Sequence, residues 1–140
     1  MGAFFKFELI TPERRVVAKD VEMIVASGAE GYFGVLPGHC PFLSALKPGP
    51  LVIGSGLEAE QYILSNGFAQ VVDNRMVVLV DQATQTRNID RAKSQAEVEM
   101  ANRKLDTLSS EDPEYQGWTN RLEFAKACLK ALEKQGKSDH

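Results

Sequence analysis

Val71-Val72-Asp73-Asn74-Arg75-Met76-Val77-Val78-Leu79-Val80 reads as two strand arms around a two-residue turn. The central Asp-Asn pair tolerates the positive φ that tight hairpin turns of the primed type require. Met76 to Val80 is apolar at successive positions. That pattern predicts a central strand covered on both faces. Short runs of the same kind extend upstream. Phe5, Phe7 and Leu9 alternate with Lys6 and Glu8, and Val21, Met23 and Val25 alternate with Glu22 and Ile24. Tyr62 and Leu64 flank Ile63 in a more fully apolar run. Glycines at 31, 34, 38, 54, 56 and 67 punctuate these segments. About eight to ten strands in roughly 85 residues predict an antiparallel β-sandwich or flattened barrel.

The pattern changes near Thr86. Beyond it stand one proline, Pro113, and two glycines, Gly117 and Gly136, among residues dominated by Ala, Glu, Lys, Gln and Leu. These are strong helix formers. Asn88 or Asp90 can cap a helix running to about Leu108, with Val98, Ala101, Leu105 and Leu108 on one face. A second helix is predicted from about Pro113 to Gln135, with Leu122, Ala125, Leu129 and Leu132 as its stripe. Joined by a short loop, the two should form an antiparallel hairpin. The expected class is therefore α+β, with a β-sandwich over residues 1–86 and a helical hairpin over 87–140. The stripes are narrow and rich in small residues, so the hairpin is expected to leave its docking site without unfolding the sandwich.

The chain has 16 Lys and Arg against 19 Asp and Glu, a formal net charge of −3. That balance argues against a nucleic-acid partner. Met1 to Ile10 has no long apolar run and no small-residue cleavage site. No stretch approaches the ~20 apolar residues that span a bilayer. A reducing cytoplasm is the expected compartment, with Cys40 and Cys128 as free thiols. Catalysis finds little support. The two histidines are His39 and His140. Cys40 adjoins His39, and neighbours in an extended segment point to opposite sides. There is no CxxC, no HxxxH, no calcium-loop spacing and no P-loop, so no metal or catalytic residue is assigned. The glycines from Gly28 to Gly34 could suggest a phosphate cradle, but no helix follows to supply a dipole.

Two segments remain as candidate contact surfaces. Between Gly28 and Phe42, glycines and two prolines hold Tyr32, Phe33, Val35, Leu36 and Phe42 among tight turns. Those side chains either plug the end of the sandwich or form a protein contact. In the second helix, Lys126, Lys130 and Lys134 recur every four residues and line one face. With Arg121 they form either a solvated face or a strip that docks on an acidic partner.

Gly28-Ala29-Glu30-Gly31-Tyr32-Phe33-Gly34-Val35-Leu36-Pro37-Gly38-His39-Cys40-Pro41-Phe42-Leu43, followed by Ala45-Leu46-Lys47-Pro48-Gly49, resembles the signature of the ε subunit of bacterial F-type ATP synthases. That family includes the chloroplast ε and mitochondrial δ subunits. Leu64-Ser65-Asn66-Gly67-Phe68 resembles its strand-turn motif. The resemblance spans the chain and implies a ten-stranded β-sandwich followed by a two-helix hairpin. It also implies a non-catalytic rotor subunit that couples an ion-driven ring to ATP synthesis. By this resemblance the sandwich binds the γ subunit of the central stalk, and Glu30, Tyr32 and His39 sit on a loop facing the membrane ring of c subunits. The helices extend towards the catalytic β and α subunits, and Arg121, Lys126, Lys130 and Lys134 press on an acidic segment to inhibit ATP hydrolysis. The protein would lie peripherally on the cytoplasmic face of the inner (plasma) membrane. Some members bind ATP through a motif of the form I-D-x-x-R-A. Ile89 and Asp90 match it, but Lys93 and Ser94 replace the Arg and Ala, and Thr84 stands where a glutamate is expected. Lysine lacks the planar fork of arginine, so weak nucleotide binding or none is expected, and no other cofactor. Two alternatives are a helical clasp without inhibition, and a small-ligand or enzyme domain built on the glycine-rich loop and His39.

Overall fold

The computed structural model describes residues 3–138, with side chains up to residue 134. The side chain of Lys137 and the whole of His140 fall outside that set. Ten strands form first: β1 (Phe5–Ile10), β2 (Arg15–Val21), β3 (Ile24–Gly28), β4 (Gly31–Val35), β5 (Phe42–Leu46), β6 (Gly49–Ile53), β7 (Glu60–Leu64), β8 (Gly67–Val72), β9 (Arg75–Val80) and β10 (Ala83–Gln85). Helices α1 (Arg91–Thr107) and α2 (Tyr115–Ser138) follow.

The strands pair in the order β10-β7-β6-β3-β5-β8-β9-β1-β2, and β4 pairs with β3. This continuous ribbon folds over on itself around one core. Phe7, Leu9, Ile24, Leu51, Met76 and Val78 are among its fully buried side chains. Nearly all neighbours are antiparallel, as the alternation predicts. The exception is β1 beside β9, which runs parallel, with Phe7 opposite Met76 and Leu9 opposite Val78.

The Asp73-Asn74 turn forms as its chemistry requires, with φ of 52° and 58°. Strand β9 is central in the sheet, but it is not covered on both faces. Met76, Val78 and Val80 are buried, whereas Leu79 is 51% exposed. The 21–25 run also differs from its expected alternation. Strand β2 ends at Val21 and β3 starts at Ile24, so the bend at Glu22-Met23 turns Ile24 inward and leaves Val25 half-buried. Tyr62, Ile63 and Leu64 are all buried, for different reasons. Tyr62 and Leu64 enter the main core, while Ile63 faces the helices on the other side of the sheet.

Helix α1 is capped by Asp90, whose side chain accepts a hydrogen bond from the Lys93 amide at 3.1 Å. The helices lie antiparallel. Glu97 meets Arg121, and further along α1 Lys104 meets Trp118, earlier in α2. Leu122 and Ala125 are buried as the stripe predicts. Cys128 and Ala131 are buried too, although they lie outside that stripe. They pack on Ile63 together with Ile89, Phe124 and Ala127. Among the described residues, no side-chain hydrogen bond or ion pair joins either helix to the sandwich.

Candidate functional site

The segment from Gly28 to Pro41 is a turn, a strand and a second turn, not one loop. Gly31 (φ +131°) closes the β3–β4 turn, and Gly38 (φ +78°) lies in a turn closed by the His39 amide donating to the Leu36 carbonyl at 3.1 Å. The two turns lie at opposite ends of the sandwich. Gly28 sits opposite Leu46, which pairs with Gly67 at the start of β8. Gly38, by contrast, donates to the Asn74 side chain at 3.0 Å, just past the far end of β8. At ~3.3 Å per residue, a strand of this length separates the ends by about 17 Å. Glu30 and Tyr32 therefore stay together, and His39 does not join them.

The remaining side chains of the segment divide. Phe33 and Phe42 meet edge to face at 5.3 Å and pack against the core, so they plug the sandwich. His39 lies tilted on Phe42 at 5.0 Å, and its Nδ1 is 2.9 Å from the Cys40 carbonyl, not the thiol. No Cys-His couple forms. Tyr32 and Leu36 remain outside, 63% and 55% exposed.

A larger apolar surface was missed in the sequence. Ala45 lies opposite Phe68, Phe68 opposite Leu79, and Leu79 opposite Ile10. These four residues form a row across β5, β8, β9 and β1, about 14 Å wide at ~4.8 Å per strand spacing. Phe68 is 57% exposed, and Leu43 on the same outer face of β5 is 70% exposed. The signal was present: apolar residues at successive positions of β9 mean either a covered strand or one exposed for a partner.

The hairpin carries the expected basic residues, but not as one strip. Arg121 makes a forked contact to Glu97 at 2.9 and 3.0 Å and lies 4.3 Å from the Trp118 ring centre. Lys126, Lys130 and Lys134 are exposed on another face, and each lines a cleft against Lys47 of the β5–β6 turn. The helical repeat explains the split. Five residues from 121 to 126 turn the helix by about 140°, whereas steps of four drift by only about 40°.

Ile89, Asp90 and Lys93 line a second cleft, between the helices and the β1–β2 turn. Thr84, Ser94 and Arg121 line it as well. These residues fit a nucleotide triphosphate poorly. Glu13, Asp81, Asp90 and Glu97 outnumber Arg14, Lys93 and Arg121 around the cleft. Asp90 is engaged as a helix cap, and Arg121 is already neutralised by Glu97.

Cys128, in the docking cluster, has its thiol pushed up from 9.0 to about 11 by burial. A raised folded-state value means the neutral thiol supports docking fully below pH 9, and that support is lost as pH rises towards 11. Iodoacetamide at pH 8 is therefore expected to label exposed Cys40 promptly and Cys128 only as the hairpin opens. Cys128 labelling should then climb steeply between pH 9 and 11, read by peptide mass spectrometry. Equal rates for both thiols at pH 8 would refute a closed hairpin.

Residues 4–86 match the family described as ATP synthase, Delta/Epsilon chain, beta-sandwich domain. The ATP synthase epsilon chain of Magnetococcus marinus is 38% identical over 133 residues, covering 95% of this chain and 97% of the relative. The chain belongs to the ATP synthase epsilon chain family. The epsilon chain of Geotalea uraniireducens is 36% identical over 96% of the present chain and 97% of its own length. Among solved structures, a chain of the Euglena gracilis mitochondrial ATP synthase, described as OSCP/F1/c-ring, superposes with a TM-score of 0.72 at 27% identity. It covers 94% of this epsilon-family chain and 83% of its own. A chain from the Tetrahymena thermophila mitochondrial ATP synthase central stalk and c-ring has a TM-score of 0.58 at 19% identity, a likeness of fold. The sandwich expected from the glycine-rich signature thus agrees with the matched family domain. No described helix of this epsilon chain is long and apolar enough to cross a membrane.

Proposed function

We propose that this epsilon chain is a non-catalytic central-stalk subunit of an F-type ATP synthase, coupling ring rotation to ATP synthesis. One observation carries the reading: an epsilon-family sandwich keeps an outward-facing apolar row across four strands, exposed at Ala45, Phe68 and Leu79 and half-buried at Ile10. An exposed apolar face of this kind suits a permanent protein contact, and its partner is the γ subunit. Glu30 and Tyr32, at one end of the sandwich, meet the membrane ring of c subunits. His39, at the other end and packed at a tilt against Phe42, takes no part in that contact. The complex is membrane-associated, and the chain is peripheral on the cytoplasmic face of the inner (plasma) membrane.

The hairpin regulates. Its small docking cluster and the absence of polar ties to the sandwich among the described residues support its release. Once extended, Lys126, Lys130 and Lys134 meet an acidic segment of the catalytic β and α subunits and slow ATP hydrolysis. Arg121 serves first as the internal tie to Glu97.

Co-purification tests the stalk role. The tagged chain is expected to elute with γ-, α- and β-type subunits, and Phe68→Glu with Leu79→Glu should lose them while remaining folded by circular dichroism. Retention of γ by that double variant would overturn the assignment of this face.

A further inference from the structure

The outward row through Ala45, Phe68, Leu79 and Ile10 does not end on β1. Ile10 lies opposite Arg15 of β2, so a guanidinium closes the row. The neighbouring rows of the same outer face place Glu8 beside Val77 and Lys6 beside Arg75. Glu8 gathers both arginines. Nε of Arg15 donates to its Oε2 at 3.1 Å, and Nη2 of Arg75 donates to its Oε1 at 2.8 Å. The Glu8 side chain is 14% exposed, whereas those of Arg15 and Arg75 are 64% and 53% exposed. A guanidinium carries five N–H donors, so each arginine keeps donors for a second acceptor. Two cations on one anion leave a local positive charge beside apolar residues, in a chain whose formal net charge is −3.

We propose that Arg15 and Arg75 take a second carboxylate, an aspartate or glutamate side chain of the γ subunit, and so fix how γ lies across the apolar row. This contact rests on the γ reading of that face. Apolar attraction is non-directional, so Leu43, Ala45, Phe68 and Leu79 alone would let a partner slide or turn on the sheet. A forked arginine–carboxylate pair has a preferred plane and direction. Its place on β1, β2 and β9, away from Leu43 and Ala45 on β5, gives the face two different ends. A subunit that turns with a shaft needs that register, because slip at the contact would lose rotation. Glu8 is the internal partner. It holds both guanidiniums on the outer face while their surplus charge draws the incoming carboxylate. Exposed ion pairs contribute little. A partner that covers the apolar row also removes water from its polar end, where arginine pairs strengthen. A basic segment would be repelled there, so the same pair selects against a wrong partner.

The test measures affinity of the full chain for a complex of α-, β- and γ-type subunits that lacks it, at increasing sodium chloride. Glu8→Gln with Arg15→Gln and Arg75→Gln removes the cluster without leaving an orphaned carboxylate. This triple variant is expected to bind about tenfold more weakly at low salt and to lose most of the salt dependence, with its melting midpoint close to native. Arg103→Gln, exposed on α1, makes the same change in net charge and should bind as the native chain does. Arg15→Lys with Arg75→Lys keeps the charge but not the fork. It should retain the salt dependence and lose about threefold in affinity. Native affinity and salt dependence in the triple variant, while Phe68→Glu with Leu79→Glu still abolishes binding, would overturn the arginine contact and leave the apolar face as the γ site. Retention of γ by Phe68→Glu with Leu79→Glu would overturn both. An equal loss in Arg103→Gln would overturn the proposal as an effect of net charge alone. Should the triple variant fail to fold, the lysine pair decides, and native affinity there is the overturning result.

Discussion

Gly67→Ala is expected to unfold much of the sandwich at temperatures the native chain withstands. A Cβ at this position would stand 2.1 Å from the Leu79 carbonyl oxygen and 2.7 Å from Cγ1 of Val80. Neither neighbour can yield cheaply. The carbonyl is backbone of β9, and moving it opens the ladder that pairs Gly67 with Val80 and Phe68 with Leu79. Gly67 also pairs with Leu46 on its other side, so β8 cannot retreat without disturbing β5. Overpacking of this severity costs at least about 3 kcal/mol, against a total stability of roughly 5–15 kcal/mol for a domain. A fall of about 10 °C or more in the melting midpoint follows. Gly117→Ala provides the contrast. That site in α2 has nothing within 4 Å of a built Cβ, and alanine should stabilise the helix by up to about 1 kcal/mol. An unchanged midpoint for Gly67→Ala would show that β8 and β9 do not approach this closely.

The second large effect concerns the hairpin. Ending the chain after Thr86 should leave the ten strands folded and raise ATP hydrolysis by the reconstituted enzyme several-fold. The core of Phe7, Leu9, Ile24, Met76 and their neighbours contains no residue of α1 or α2. Removing the helices exposes Ile63 and little else of the apolar interior. The shortened chain is expected to keep its far-ultraviolet strand signal and to bind γ as before. Unchanged hydrolysis with normal assembly would leave the helices as a clasp and defeat the inhibitory role. A chain that no longer folds would show that the docking contact contributes more than its few side chains suggest.

What was legible in the sequence was what local chemistry decides. The Asp73-Asn74 turn follows from two residues that tolerate positive φ. The start of α1 follows from an aspartate three residues before a free amide. The helical hairpin follows from composition and a helical period. Pairings between distant segments were not legible. Nothing within Phe5–Ile10 or Arg75–Val80 announces that these strands run parallel. Alternation fixes which face a residue takes, not which neighbour it meets. The separation of Glu30 from His39 escaped for the same reason, because β4 between them read as part of a loop. Two features could have been found earlier. The turn angle from Arg121 to Lys126 already sets them on different faces, and Ile63 between buried neighbours already required a second covering layer. That layer is the helix face bearing Cys128 and Ala131.

Ile63 therefore meets two different requirements. It must be covered when the helices rest, yet expose little when they leave. A docking free energy of about 2–3 kcal/mol, the scale of one well-buried aliphatic side chain, leaves on the order of one molecule in a hundred undocked at equilibrium. On the proposed regulatory reading, such a population is small enough to leave hydrolysis running and large enough to be captured quickly by a partner that favours the open form. On that reading, the strength of the brake would be set by how many molecules stand ready, and Ile63, packed with Phe124, Cys128 and Ala131, helps to set that number.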